Sequence, residues 1–188
     1  MMPDASSDET ELPEGGGMNA TSRCCIAAFV ALAVFASVAG AQNNQPTQKK
    51  VLTLAMAKEI MAATEKAACN IKCQGAIAIV DEAGNVILSE RMDDTQVPSL
   101  DLAIKKARTA ALYQRPTKLF EERLAKGETY YLSFPDMLPL IGGAPLVVDG
   151  QVIGGIGESG YVQPGPEPNM AGIIVEAGVQ ALAKMIAH

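Results

Sequence analysis

The segment PLVVDGQVIGGIG (145–157) restricts this chain more than any other. Asp149-Gly150 stands between two runs rich in β-branched residues. An Asp-Gly pair suits a two-residue reverse turn whose central residues both take positive φ, so the flanking runs must pair antiparallel. A second pair precedes it. GAIAIVD (75–81) is apolar on both alternations, as expected of a strand covered on both faces. Glu82-Ala83-Gly84-Asn85 forms a turn, and Val86–Met92 returns. Two hairpins of this kind exclude a doubly wound parallel sheet.

Helical patterns fill the gaps. Thr53 is placed to cap a helix running to about Cys69, with Asn70 at its end. Leu100, Ala103, Ile104, Ala107, Ala110 and Ala111 form one apolar stripe, with Asp101, Lys105 and Arg108 opposite. That helix must stop before Pro116, because the residue preceding a proline avoids helical geometry. Thr117–Lys126 reads as a shorter helix closed by Gly127, and Tyr130–Phe134 as a short strand. Pro164, Pro166 and Pro168 mark a stiff loop, and Asn169–Ala187 the last helix. The predicted fold is α+β: an antiparallel sheet of about five strands with helices packed on its faces.

Residues 24–39 (CCIAAFVALAVFASVA) are an uncharged apolar run followed by Ala39-Gly40-Ala41, the pattern of a secretory signal peptide and its cleavage site. Residues 1–17 are acidic and glycine-rich, unlike the basic lead of such a peptide. Starting at Met18 leaves Arg23 as the only charge before the run. The expectation is a cleaved leader over 1–41 with its true start at Met18, a flexible lead-in over 42–52, and one domain over 53–188; an uncleaved signal anchor is the alternative, although about sixteen apolar residues are short for a span. The mature protein is then expected outside the cytoplasm, with no membrane attachment after cleavage. The leader carries five acids and one base, so its loss changes the net charge from −6 to about −2. Neither value suits phosphate neutralisation, so nucleic acid is not an expected partner. The single histidine is the last residue, His188, which excludes the common histidine metal sites and a Ser-His-Asp triad within the domain.

Gly155-Ile156-Gly157-Glu158-Ser159-Gly160 matches G-x-G-x-x-G. The dinucleotide reading fails, because that fingerprint needs a strand, a helix opening at the glycines and another parallel strand. Two readings stay open: glycines that turn a strand edge, or a ligand-facing loop over 154–160 offering backbone N–H groups to an anion. Cys69 and Cys73 are either separate thiols or a disulfide across the helix end. Arg91, Asp93, Asp94, Lys105, Lys106 and Arg108 are either solvated charges or an anion-binding cleft at a strand–helix junction, with Lys106 alternatively paired to Asp93. The methionines, Met92 among them, read as core.

Taken together, IAIVDEAGNV (77–86), Arg91-Met92-Asp93, KKARTA (105–110), GGAPLVVDGQVIGGIGESG (142–160) and GIIVEAG (172–178) resemble the GlcG/HbpS family. The resemblance covers about 52–187 and implies a profilin-like sandwich, a small-molecule ligand such as haem or a related tetrapyrrole, and a homo-oligomer. An enzyme acting on a small organic acid, with Lys106 and Glu158 as acid–base groups and Arg91 as carboxylate clamp, is the alternative; so is an oligomeric module without a ligand. The chain departs from the family where Glu158 replaces a hydrophobic residue and Pro168-Asn169 an acidic pair. The candidate ligand-binding residues are Arg91, Asp93, Lys106, Gly157, Glu158 and Ser159. No metal ligand is assigned. Stripes of small residues (Ala62, Ala63, Ala67; Gly172, Gly178) are candidate subunit contacts.

Overall fold

The computed structural model describes residues 48–161 and 169–187. The predicted leader, and the prolines at 164, 166 and 168, lie outside the described residues. The elements are α1 (Leu54–Asn70), β1 (Gln74–Asp81), β2 (Val86–Arg91), α2 (Ser99–Tyr113), α3 (Thr117–Ala125), a 3-10 turn (Thr129–Ser133), β3 (Gly143–Val148), β4 (Gln151–Tyr161) and α4 (Met170–Ile186). The four strands make one antiparallel sheet in the order β2-β1-β4-β3.

Both predicted hairpins are present. Asp149 (φ 48°) and Gly150 (φ 76°) are both left-handed, as the two-residue turn requires. In the other turn the Asp81 carboxylate accepts hydrogen bonds from the backbone N–H groups of Ala83 (2.9 Å) and Asn85 (2.8 Å).

The sheet has four strands, where five were expected. Residues 129–133 coil instead of extending. Their aromatics explain this: Tyr130, Tyr131 and Phe134 join Tyr113 and Phe120 in one cluster, with Tyr131 and Phe120 centroids 5.5 Å apart. A 3-10 turn presents nearby side chains to one cluster, whereas a strand would send alternate ones to opposite faces.

Two unlike layers cover the sheet. On one face α1 and α4 bury Ile60, Met61, Ile77, Ile79, Leu146, Ile153, Ile156, Val175 and Leu182. On the other, Ala103, Ala107 and Ala111 of α2 meet Ala76, Ala78 and Val80 of β1. β4 lies beneath α2 at Gly155 and Gly157, where an added Cβ would collide with the carbonyl oxygens of Ala107 and Ala103 respectively. The G-x-G-x-x-G run is therefore neither a strand edge nor a loop. It belongs to an interior strand, and its glycines let a helix backbone approach the sheet.

Two further expectations change. Lys49 pairs with Glu82 at 2.6 Å and Lys50 with Asp149, while Leu52 is buried in the core, so the last residues of the lead-in are fixed to both hairpin turns. Gly178, read as a possible subunit contact, is consumed inside the chain: a Cβ there would lie 2.5 Å from Thr64 Oγ1 and 2.7 Å from Ile156 Cδ1.

Gly157→Ala should thus destabilise the domain by about 3 kcal/mol, the upper end of ordinary overpacking. Urea unfolding of the variant checks this. A loss within the roughly 0.5 kcal/mol expected of a surface change would show that α2 does not press on β4.

Candidate functional site

The site begins with how α1 ends. Lys72 takes a left-handed φ of 54° without being glycine. Its N–H bonds to Cys69 O (3.0 Å), and Cys73 N–H bonds to Ala68 O (2.9 Å). This is a Schellman ending, in which the residue after the left-handed one packs back on the last helical turn. Cys73 does so, buried with Ala68 and Ile174. Cys69, the next residue along the helix from Ala68, faces solvent. Of the two readings left open for Cys69 and Cys73, the structure has separate thiols and not a disulfide: one is exposed and one buried, on the two sides of the helix ending.

Beside this ending, where β1 starts and β2 stops, lies an open cleft of about 540 Å³. It is lined by Glu65, Cys69, Lys72, Cys73, Gln74, Arg91, Met92 and Asp93. Arg91 and Asp93, both singled out from sequence, are here together. Among the described residues, ion pairs within 4.0 Å involve Lys49, Lys50, Lys118 and Arg123, and Lys72 and Arg91 make none. At the opposite end of β1 a second cleft of about 570 Å³ contains Lys49, Glu82, Asp149 and Gln151. There Lys49 is already neutralised by Glu82.

Glu158 lies behind the first cleft. It is 1% exposed, and its Oε1 sits 3.8 Å from Cys73 Sγ. Burial pushes its carboxyl up to about 7, against the pull of the Lys106 charge and the thiol contact. Burial, and then the Glu158 charge, push the Cys73 thiol up to about 12, so Cys73 stays protonated and unreactive at neutral pH.

Lys106 is 4% exposed, and its ammonium donates to the backbone oxygen of Glu158 at 2.9 Å. Burial lowers its pKa, opposed by the charges of Glu158 and Glu121. The structure does not bring Lys106 to Asp93, nor into the cleft with Arg91. Ser159 is buried on the rung that carries Ala76 and, beyond it, Arg91. Gly157 lies under α2. The expected 154–160 loop is strand, with its backbone groups committed to the sheet along most of its length.

Sequence reading missed Glu65, Lys72 and Gln74 as cleft residues. Asn70 marked a helix end, but no glycine announced that Lys72 would turn left-handed there.

The chain matches the family model described as "Haem degrading protein HbpS-like" over residues 52–167. It belongs to that family. Protein GlcG of Escherichia coli is 40% identical over 111 residues, 59% of this chain and 83% of GlcG. A crystal structure of a double mutant of Streptomyces reticuli HbpS is 31% identical and superposes with a TM-score of 0.63, covering 75% of this chain and 93% of that one. A crystal structure titled as a PduOC:Heme complex shares the fold, with a TM-score of 0.62 at 24% identity over 70% of this chain and 95% of that one. The expected antiparallel sandwich is thus this family's fold. Among the described residues, no helix is long and apolar enough to cross a membrane.

The buried Glu158 has a stability signature. Its folded pKa lies above the usual carboxyl value, so the folded state binds the proton more tightly than the unfolded state. Its contribution is complete below the unfolded pKa of about 4.5 and is lost as pH rises towards 7. Glu158→Gln should remove that loss. The variant should gain on the order of 3 kcal/mol relative to wild type between pH 5 and pH 8, measured by urea unfolding at both pH values. Parallel stability curves would show that Glu158 stays ionised throughout.

Proposed function

We propose that the protein binds an anionic tetrapyrrole, haem above all, in the cleft between the end of α1 and the end of β2. The observation that carries this reading is the pair of cations, Lys72 and Arg91, that make no ion pair among the described residues and stand in one cleft beside the side chain of Met92. Charge-assisted contacts to guanidinium and ammonium groups suit propionate carboxylates. The thioether and the aliphatic part of the wall suit a flat apolar ring. The family's description and the kinship with HbpS support the choice of haem over other anionic rings.

The donor set fits haem at its carboxylates. Among the described residues no histidine lines the cleft; the chain's one histidine, His188, lies outside them. Tyr113, Tyr130 and Tyr131 stand in the aromatic cluster and do not line the cleft. Bound haem would supply an iron centre for redox chemistry; this chain's residues supply the seat. Lys72 and Arg91 hold the carboxylates, Met92 contacts the ring, and Glu65 and Asp93 at the rim disfavour ligands with more negative charge.

The organic-acid enzyme gains less from the geometry. Lys106 is committed to a backbone oxygen and Glu158 is shielded by Cys73, so neither lines the cleft that holds Arg91. Export through the 1–41 leader and assembly into a homo-oligomer belong to the proposed reading.

A haemin titration followed by its Soret band tests the site. Replacing Lys72 and Arg91 together with alanine should weaken binding at least tenfold, or about 1.4 kcal/mol. Both side chains are exposed, so the fold should survive. Wild-type affinity in the folded double variant would remove the cleft from consideration.

A further inference from the structure

The seat in the cleft leaves Glu158 unused, although its carboxyl is buried directly behind the Cys73 wall. Its Oε1 lies over Gly75 and Gly160, where a Cβ would come within 2.6 Å of it; the same Cβ atoms would also meet backbone, at 2.9 Å from Gly160 Cα and 2.7 Å from Gln74 O respectively, so close strand backbone already keeps both positions bare. The neighbouring even-numbered position on the same strand, Ile156, is apolar and fully buried. An apolar residue at 158 would have spared the domain the cost of a buried carboxyl.

The charge on that carboxyl is poorly compensated. Lys106 spends a hydrogen bond on the backbone oxygen of Glu158, and the side-chain partner is a thiol, a weak donor. Cys73 is also a wall of the cleft, so only the thickness of one side chain separates Glu158 from a ligand there.

A bound anion would add negative charge at short range across a medium of low dielectric. Like charges at such a distance favour protonation of the group that can take a proton. We propose that Glu158 is the proton-exchanging residue of the cleft: an anionic ligand enters together with a proton that the Glu158 carboxylate takes from solvent, and Glu158 thereby sets the pH above which the cleft loses that ligand. This rests on the cleft being the ligand site. The step forms one O–H bond on the carboxylate and involves no redox change.

The groups facing Glu158 agree with that direction. From α2 comes Lys106, whose charge is also felt by Glu121 of α3. From the end of α1 come Cys73 and Ala68, and from α4 the apolar Ile174. Across the cleft stand Lys72 and Arg91 with Glu65 and Asp93.

Isothermal titration calorimetry with haemin at pH 7, in two buffers of different ionisation enthalpy, counts protons taken up per ligand. Wild type should take up about half a proton at pH 7 and almost none at pH 5, where the carboxyl is already protonated. Affinity should fall about tenfold from pH 6 to pH 8. Glu158→Gln, with its folding checked by circular dichroism, should bind haemin with the excess proton uptake gone and a flatter pH profile. Haemin binding with no uptake at pH 7, or with equal uptake in the variant, overturns the proposal while leaving the cleft intact. The wild-type profile alone decides the matter if the variant does not fold: uptake as large at pH 5 as at pH 7 contradicts it. Failure of wild type to bind haemin at any of these pH values overturns the cleft reading, and this inference with it.

Discussion

The close approach of α2 to β4 is the constraint on which the other features depend. Gly155 and Gly157 offer no Cβ, and Ala103, Ala107 and Ala111 offer only a methyl each, so helix and sheet backbones touch with almost nothing between them. Such a contact is stiff, because neither side has a long side chain to repack. It fixes β4 in the middle of the sheet and thereby fixes the position of Glu158, one residue past Gly157 and on the opposite face. Larger apolar residues are concentrated on that second face, where α1 and α4 close over them.

From that arrangement the cleft follows. β4 pairs with the start of β1, and β2 ends on the rung that carries Ala76 and Ser159. The chain must arrive at β1 directly from α1, and the Schellman ending makes the turn in three residues. It buries Cys73, exposes Cys69 and leaves Lys72 at the rim opposite Arg91. The same turn brings a thiol between solvent and Glu158. One local backbone feature thus shapes the cleft's cationic rim, its sulfur wall and its buried carboxyl.

Much of this was legible in the residues. The Asp-Gly turn fixed one hairpin, and the apolar run at 75–81 an interior strand. The alanine stripe of α2 announced a helix that lies close to something. What it lies against was not legible, because glycines in a G-x-G-x-x-G spacing read equally as turn formers until a partner surface is known. Tyr130–Phe134 has the composition of a strand, and only the presence of Tyr113 and Phe120 beside it decides for a coil. Arg91 and Asp93 could be placed at a strand end and hence at a cleft. Lys106 could not, because helical spacing shows which face a lysine occupies and not that its ammonium would reach a carbonyl 52 residues away. Lys72 carried no signal at all: a left-handed helix ending without glycine is invisible to composition.

The central claim is that ligand binding happens at the α1–β2 cleft and not at the second cleft or the aromatic cluster. Hydrogen–deuterium exchange of the protein with and without haemin tests this directly. Exchange should slow in peptides covering Lys72–Gln74 and Arg91–Asp93, with the 129–134 segment and the second cleft, at Lys49, Glu82, Asp149 and Gln151, unchanged. Protection confined to either of those other regions would contradict the claim.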